Sequence, residues 1–312
     1  MQILNLASRQ KADCVPDGAI FLLGYFDGVH LGHRSLVDRA AKIGAKDTPI
    51  VIWTFTSLPK SSAERGVLTT NEEKCDIFAA LGADYVIFED FSSVRDLSGE
   101  DFFERCIAVH SPLAVVCGFD FKFGKGAAYT PTHLTSLTQK HGIECAVLPE
   151  FSLGDRPVSS TEIRRLISCG KIDDANELLG YRYYIRSTVN HGKEIGRQIG
   201  FPTINQTFPA EKVLPAHGVY AVRVEFNSLN GSKSHIGICN VGSRPTVNDD
   251  KTDVTVETYI ADFCGDLYDT EVKTSFCHYL RGETRFSSLE ELSAQINNDK
   301  ENALALLSTC EK

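Results

Sequence analysis

No two of the ten cysteines stand in a C-x-x-C pair. Zinc sites need thiolates or imidazoles at short, matched spacings, so none is expected, and the cysteines read as reduced thiols packed as small apolar groups. Reduced thiols point to a cytoplasmic chain. No run approaches the ~18 apolar residues of a membrane helix, and the opening MQILNLASRQKADC lacks the apolar core of a signal peptide. Basic residues are in deficit, with 32 Lys plus Arg against 41 Asp plus Glu and a formal net charge of -9. That balance argues against a broad nucleic-acid-binding face but leaves room for a local anion site. Also missing are G-x-x-x-x-G-K-[ST] and a G-x-G-x-x-G after a strand, so neither a P-loop nor that dinucleotide fingerprint is expected.

What is present is a chain of 312 residues with 42% hydrophobic and 23% charged residues, enough for two globular domains. Strand-like runs Ala19–Gly24, Pro49–Phe55, Ala83–Phe88, Leu113–Cys117 and Cys145–Leu148 alternate with helical spacing at His33–Ile43, Lys74–Leu81, Gly99–Ala108 and Thr132–His141. Alternation at this pitch predicts a doubly wound parallel α/β sheet. Asn71 reads as the cap of the second helix. Two short helices come next, Ser159–Gly170 and Asp173–Leu179, ended by Gly170 and Gly180. Beyond Gly180 the texture changes to short strands at Tyr183–Val189, Gly218–Phe226, Lys233–Asn240, Thr255–Ile260 and Glu271–Leu280, with Asn230-Gly231 as a hairpin turn and Asn240–Thr246 as another turn. This half predicts an antiparallel barrel or sandwich. A terminal helix, Ser288–Leu307, closes it with a stripe of Leu289, Leu292 and Ile296. The expected domains are 1–182 and 183–312.

The stretch LLGYFDGVHLGHRSLV (Leu22–Val37) ends the first strand in a glycine-rich turn. Ligands of parallel α/β sheets sit beyond the strands' carboxyl ends. Gly24 and Gly28 allow close backbone approach, the free amides of the next helix favour an anion, and His30 and His33 add donors on one side of it. These parts fit a nucleotide triphosphate. A satisfied surface histidine cluster would leave the same trace. VSSTEIRRL (Val158–Leu166) offers Ser160, Thr161 and Arg164 at a helix start, a pattern that is more often only an N-cap.

In the second half, HGKEIGRQIGFPTINQ (His191–Gln206) has glycines at 192, 196 and 200, read as a loop able to close over phosphates. Pro202 stiffens the residues after it, and Thr203 and Asn205 point the same way along an extended chain, so both can reach one magnesium ion. Glu257 stands in an otherwise apolar strand. It is either a base for a substrate hydroxyl or a carboxylate on an exposed strand face.

Taken together, the segments carry a resemblance. Gly24-Tyr25-Phe26-Asp27-Gly28-Val29-His30-Leu31-Gly32-His33 resembles the H-x-G-H signature of nucleotidylyltransferases, and Ser159-Ser160-Thr161-x-x-Arg164 their phosphate motif. Gly200-Phe201-Pro202-Thr203-Ile204-Asn205 is similar to the G-x-P-T-x-N motif of riboflavin kinases. Asn240–Thr246, the Glu257 strand, Asp262–Tyr268 and Leu280–Phe286 come after it in that family's order. From about Gly18 to Leu307 the chain resembles the bacterial bifunctional riboflavin kinase/FAD synthetases. The resemblance implies a nucleotidylyltransferase domain that transfers AMP from ATP to FMN, and an antiparallel β-barrel kinase domain that phosphorylates riboflavin. Gly24, Phe26, Asp27, Gly28, His30, Gly32, His33, Ser160, Thr161 and Arg164 would then hold ATP in the first domain, and Asp120, Phe121 and Phe123 would meet flavin or nucleotide. Gly196, Gly200, Pro202, Thr203 and Asn205 would hold the kinase ATP, with Thr203 and Asn205 on Mg2+, Glu257 as base and Arg281 beside the flavin. ATP, riboflavin and FMN are the implied small-molecule partners, with no nucleic acid and no membrane. The sequence departs from the family pattern at Tyr25, at Thr54–Lys60 and at Ala127–Thr130, all in the first half. Those departures keep two alternatives in view: a riboflavin kinase with a weakened or repurposed first domain, and a non-catalytic flavin-binding module.

Overall fold

The computed structural model describes residues 1–6, 12, 14–56, 66–192, 196, 199–228, 231–244 and 253–308. Residues 57–60 of the divergent Thr54–Lys60 segment, Pro245 and Thr246 of the Asn240–Thr246 segment, and Asn230 lie outside the described residues.

Two compact units divide the chain between Ser160 and Thr161. The first carries six parallel strands, β1 (Gln2–Leu6), β2 (Ile20–Leu23), β3 (Ile50–Phe55), β4 (Tyr85–Glu89), β5 (Ala114–Gly118) and β6 (Glu144–Leu148), in the order β1-β4-β3-β2-β5-β6. β2 is buried along its whole length, as a strand covered on both faces must be, which is why IFLL is continuously apolar rather than alternating. Phe21 and Leu23 face one layer of the core with Trp53, Phe102 and Leu134, while Ile20 and Leu22 face the other with Phe78. Helix α1 (Leu31–Ile43) buries Leu36, Val37 and Ala40 against that second face. From β2 the chain winds outward through β3 and β4, then returns to β5 on β2's other side. The direction of winding therefore reverses between β2 and β5, and the crevice at their carboxyl ends is where such sheets bind ligands.

Several local expectations are corrected. β1 pairs in parallel with β4 although its short, half-polar run carried no legible strand signal. Helix α2 (Asn71–Ala80) is capped by Thr70, not Asn71. Thr70 Oγ1 accepts the Glu73 amide at 3.2 Å while a Glu73 oxygen accepts the Thr70 amide at 2.9 Å, and the Asn71 side chain instead donates to the Thr56 carbonyl. After the short α3 (Phe91–Val94), the expected helix Gly99–Ala108 is α4 (Gly99–Phe102) running into a π turn at Phe103–Ile107 and a 3-10 turn to His110. Helix α5 (Pro131–Lys140) precedes β6.

Helices α6 (Ser160–Ser168) and α7 (Ile172–Leu179) come after a small hairpin, β7 (Ser152–Leu153) and β8 (Arg156–Pro157). The sequence places the boundary after residue 182; the compact division falls at the start of α6. α7 is fastened to the barrel by Asn176, whose side chain donates to the Phe276 carbonyl and accepts the Tyr183 amide. Gly170 and Gly180 both take φ 75, as helix-ending glycines do.

The second unit is a closed antiparallel barrel in the order β10-β13-β12-β11-β14-β9. Its strands are β9 (Tyr184–Asn190), β10 (Thr203–Thr207), β11 (Gly218–Ser228), β12 (Gly231–Arg244), β13 (Asp253–Ile260) and β14 (Glu271–Arg281). Ser228 pairs with Gly231, which is the first residue of β12. Asn240–Arg244, expected as a turn, extends β12, held by pairing with Glu257–Asp253. Terminal helix α8 (Leu289–Ser308) buries Asp299, Ala303 and Leu307; Leu289 is 55% exposed and lies off the stripe assigned to it. Buried Arg223 donates to the Leu307 carbonyl at 3.0 Å, placing a cation at that helix's negative end.

Candidate active sites

The turn after β2 stores backbone strain. Phe26 and Val29 hold φ 56 and φ 35, and Gly28 between them φ 83. A β-branched residue at positive φ is rare, and such outliers gather where function over-determines the backbone. Hydrogen bonds from distant segments hold the turn. Asp27 is buried, and its Oδ1 accepts the amides of Leu68 at 2.8 Å and Thr69 at 3.3 Å. The Gly28 amide donates to Thr69 Oγ1 at 3.0 Å. Ser160 Oγ donates to the Asp27 carbonyl at 2.8 Å. Asp27 and Ser160, expected from sequence as ligand contacts, also shape the turn. Phe26 likewise faces the core, edge-on to Phe78, and lies under Gly24, where a Cβ would come within 3.0 Å of its ring.

His30 caps α1, its Nδ1 accepting the His33 amide at 3.4 Å. The two imidazoles stack with centroids 3.6 Å apart and planes 16° off parallel, so they form one unit at the helix's positive end. Gly32 packs beneath: a Cβ there would lie 3.2 Å from the His30 ring. His33 Nδ1 is buried with no hydrogen-bond partner among the described residues. Burial, reinforced by His30 and Lys74, holds the His33 imidazole well below its ordinary pKa. The folded chain favours the neutral ring, so this stabilisation is present above the ordinary histidine value of about 6.5 and is lost as pH falls below it. Histidine ring NMR is expected to show His33 neutral at pH 6; a charged ring at that pH would contradict the burial argument.

Across the switch point, the segment after β5 builds an aromatic cavity of about 490 Å³ lined by Phe55, Phe91, Phe102, Phe121 and Phe123, with Lys122 and Lys125 at its edge. Phe121 and Phe123 stack at 5.6 Å and 17°, and Phe123 pairs with Tyr129 through two 3.1 Å backbone hydrogen bonds. Tyr129 lies flat on Gly99 and Gly124, where a Cβ would come within 2.1 Å and 2.7 Å of its ring. Asp120 is exposed and does not line this cavity. Phe55, Phe91 and Phe102 were missed in the sequence because each looks like ordinary core. Thr161 and Arg164 lie on α6 in the second unit, Thr161 exposed and Arg164 partly buried.

In the barrel, Asn205 of β10 and Asn240 of β12 both pair with Glu257 of β13, and Thr203 pairs with Tyr259. Residues directly opposite share a face. Val256 and Thr258, with no exposed surface, point into the barrel, so Glu257 is on the outer face. A cavity of about 340 Å³ covers it, lined by Thr203, Asn240, Glu257, Arg281 and Glu283 and walled by Leu292 and Ile296 of α8. A second cavity of about 520 Å³ lies between Pro202–Ile204 and Phe263–Tyr268. Thr203 lines both. Gly196 sits above it: its carbonyl accepts the Phe201 amide at 2.8 Å, and a Cβ would come within 2.2 Å of the Phe201 carbonyl oxygen. Gly192 leaves room for Asn205, whose amide a Cβ there would meet at 2.3 Å. Gly200 takes φ 83.

Arg281 lines the cavity, but its fork grips Asp299 of α8 through Nε at 3.0 Å and Nη2 at 2.8 Å, and Gln295 donates to the same carboxylate. It therefore fastens the cavity's helical wall, and Asp299, only 2% exposed, is the partner that the sequence did not reveal. Breaking a buried pair costs more than the pair gains. Asp299→Ala is expected to lower stability by about 3 kcal/mol, measured by urea unfolding.

Taken separately, the two units are a parallel-sheet nucleotide-binding type and a barrel with a covered carboxylate, and comparison assigns each to a flavin enzyme class. The FAD synthetase family model matches residues 13–162 and the riboflavin kinase model residues 179–307. Whole-chain relatives carry both. Bifunctional riboflavin kinase/FMN adenylyltransferases of Listeria monocytogenes and Bacillus subtilis are 33% and 32% identical, each over 94% of this chain and 93% and 94% of theirs. That of Escherichia coli K12 is 32% identical over 91% of both. The chain belongs to the bifunctional riboflavin kinase/FMN adenylyltransferase family. A solved chain from Streptococcus pneumoniae, described as a macrolide-efflux protein, matches with a TM-score of 0.86 at 28% identity, over 97% of this chain and 99% of that one. In the present chain no helix among the described residues is long and apolar enough to cross a membrane.

Proposed function

We propose that the chain phosphorylates riboflavin with ATP, giving FMN and ADP, and then transfers AMP from a second ATP to FMN, giving FAD and pyrophosphate. The observation that carries the first reaction is Thr203, shared by two cavities of which one contains Glu257. Riboflavin fits the cavity walled by α8, with its terminal ribityl hydroxyl toward Glu257, and ATP the cavity between Pro202 and Tyr268. Glu257 takes the hydroxyl proton as the oxygen attacks the γ-phosphorus and ADP leaves. Thr203 and Asn205 offer a hydroxyl and an amide oxygen on one face of β10. Neutral oxygens of this kind suit magnesium, which fills its remaining positions with phosphate and water. When bound there, the metal supplies charge neutralisation to the phosphates.

For the second reaction, the turn after β2 takes the ATP phosphates and the aromatic cavity after β5 takes the isoalloxazine of FMN by stacking. An FMN phosphate oxygen attacks the α-phosphorus and pyrophosphate leaves. His30 and His33 are placed to donate to phosphate oxygens as charge develops. The match to FAD synthetases over 13–162 favours this two-reaction reading over a kinase alone. The setting is proposed to be cytoplasmic. Incubation with riboflavin, ATP and magnesium, then chromatography, is expected to show FMN and later FAD. FMN without FAD would reject the second reaction, and neither product would reject both.

A further inference from the structure

Lys74 is fully buried, and its Nζ has no hydrogen-bond partner among the described residues. Nζ lies 3.8 Å from the centroid of the Tyr25 ring, inside the turn after β2. Three physical terms oppose a cation there. Burial without hydrogen bonds is costly, the first turn of α2 carries the positive end of the helix dipole, and a tyrosine face returns only part of the lost hydration. Among the described residues the other buried Lys and Arg each make a hydrogen bond: Lys212 donates to the Tyr184 carbonyl at 2.8 Å, and Arg223 through Nη2 to the Leu307 carbonyl. A leucine or methionine at position 74 would fill the same space without these penalties.

We propose that Lys74 is a further anion-binding residue of the adenylyl-transfer site, covered by the Tyr25 ring in the free protein and released onto a phosphate oxygen of ATP when that ring turns aside. The inference rests on the adenylyl-transfer reading above. Tyr25 suits the role of cover. Thr54 Oγ1 holds its carbonyl at 3.0 Å, so the backbone stays in place, while the Tyr25 side chain is only half-buried. Asp27 beside it already accepts two backbone amides, which keeps that carboxylate committed to the turn. Burial lowers the Lys74 pKa to about 8 while Asp27 pulls it back up, so the amine is mostly protonated at neutral pH before any phosphate arrives. The Tyr25 ring is the stand-in partner for the ammonium in the free protein.

Lys74→Met removes the ammonium and keeps the stem. The expected result is a rise of roughly 30-fold in the ATP KM for FMN adenylylation, the worth of one charge-assisted hydrogen bond. Riboflavin phosphorylation should be unchanged and the Tm equal to or above that of the unmodified chain. An unchanged ATP KM in a folded Lys74→Met chain would overturn the proposal. Tyr25→Leu decides the matter if Lys74→Met does not fold: removing only the cover should lower Tm without raising the ATP KM. A raised KM in Tyr25→Leu would mean that the pair is a structural unit and would also overturn it. Failure of the unmodified chain to make FAD from FMN would instead reject the adenylyl-transfer reading.

Discussion

Glu257→Gln is expected to lower riboflavin phosphorylation by about 10²- to 10⁴-fold, the range of general-base catalysis, while adenylylation of supplied FMN continues at its ordinary rate. Gln keeps the size and hydrogen-bonding shape of the side chain, so the barrel face is preserved. Only the capacity to accept the ribityl proton is lost. Glu257 lies between Asn205 and Asn240 on three adjacent strands, and no rearrangement of that row can supply a second carboxylate at the same register. Glu283 lines the cavity too, but it belongs to the segment after β14 and pairs with His217 at 3.8 Å. The loss is expected in kcat rather than in the riboflavin KM, because the base acts on the reacting hydroxyl while the cavity walls bind the ring. A fall in both activities together would contradict the division into two sites.

His30→Asn is expected to show the reverse pattern: FMN forms normally, and FAD synthesis falls by about 10²- to 10³-fold, as when an oxyanion donor is removed. Asparagine is chosen because His30 is also the cap of α1, and an Asn side chain can still accept the His33 amide. His30→Ala would add about 1 kcal/mol of lost capping to any chemical effect. The stacked pair makes a second point. With His33 held neutral by burial, its ring enters as a hydrogen-bonding group rather than as a fixed cation. Intact FAD synthesis in His30→Asn would reduce the cluster to a structural cap.

Much of this was legible from residue order. A fully buried strand announces itself as a continuous apolar run, so β2 and the glycine turn after it were readable, as was the change to short strands beyond Gly180. Barrel closure was legible only through the family resemblance, because it depends on β9 pairing with both β10 and β14, contacts that no local pattern encodes. The site was half readable for a similar reason. Residue types at the turn after β2 indicated an anion site, but only the fold shows that the Asp27 carboxylate serves amides 41 and 42 residues away and that Phe26 faces the core. The cap of α2 was misplaced by one residue. Thr and Asn rank closely as caps, and the Thr70–Glu73 spacing was the better signal. Asp299 and Lys74 were silent in sequence: each is a charged residue on a helix, and burial alone makes it informative.

The central claim is two sites on one chain, each sufficient for its own transfer, linked by FMN. Mixing the Glu257→Gln and His30→Asn chains with riboflavin, ATP and magnesium tests it most directly. Each alone should make little or no FAD from riboflavin, and the mixture should make it, because FMN formed on the second chain is adenylylated on the first. A mixture that accumulates FMN without FAD, or neither product, would contradict the account.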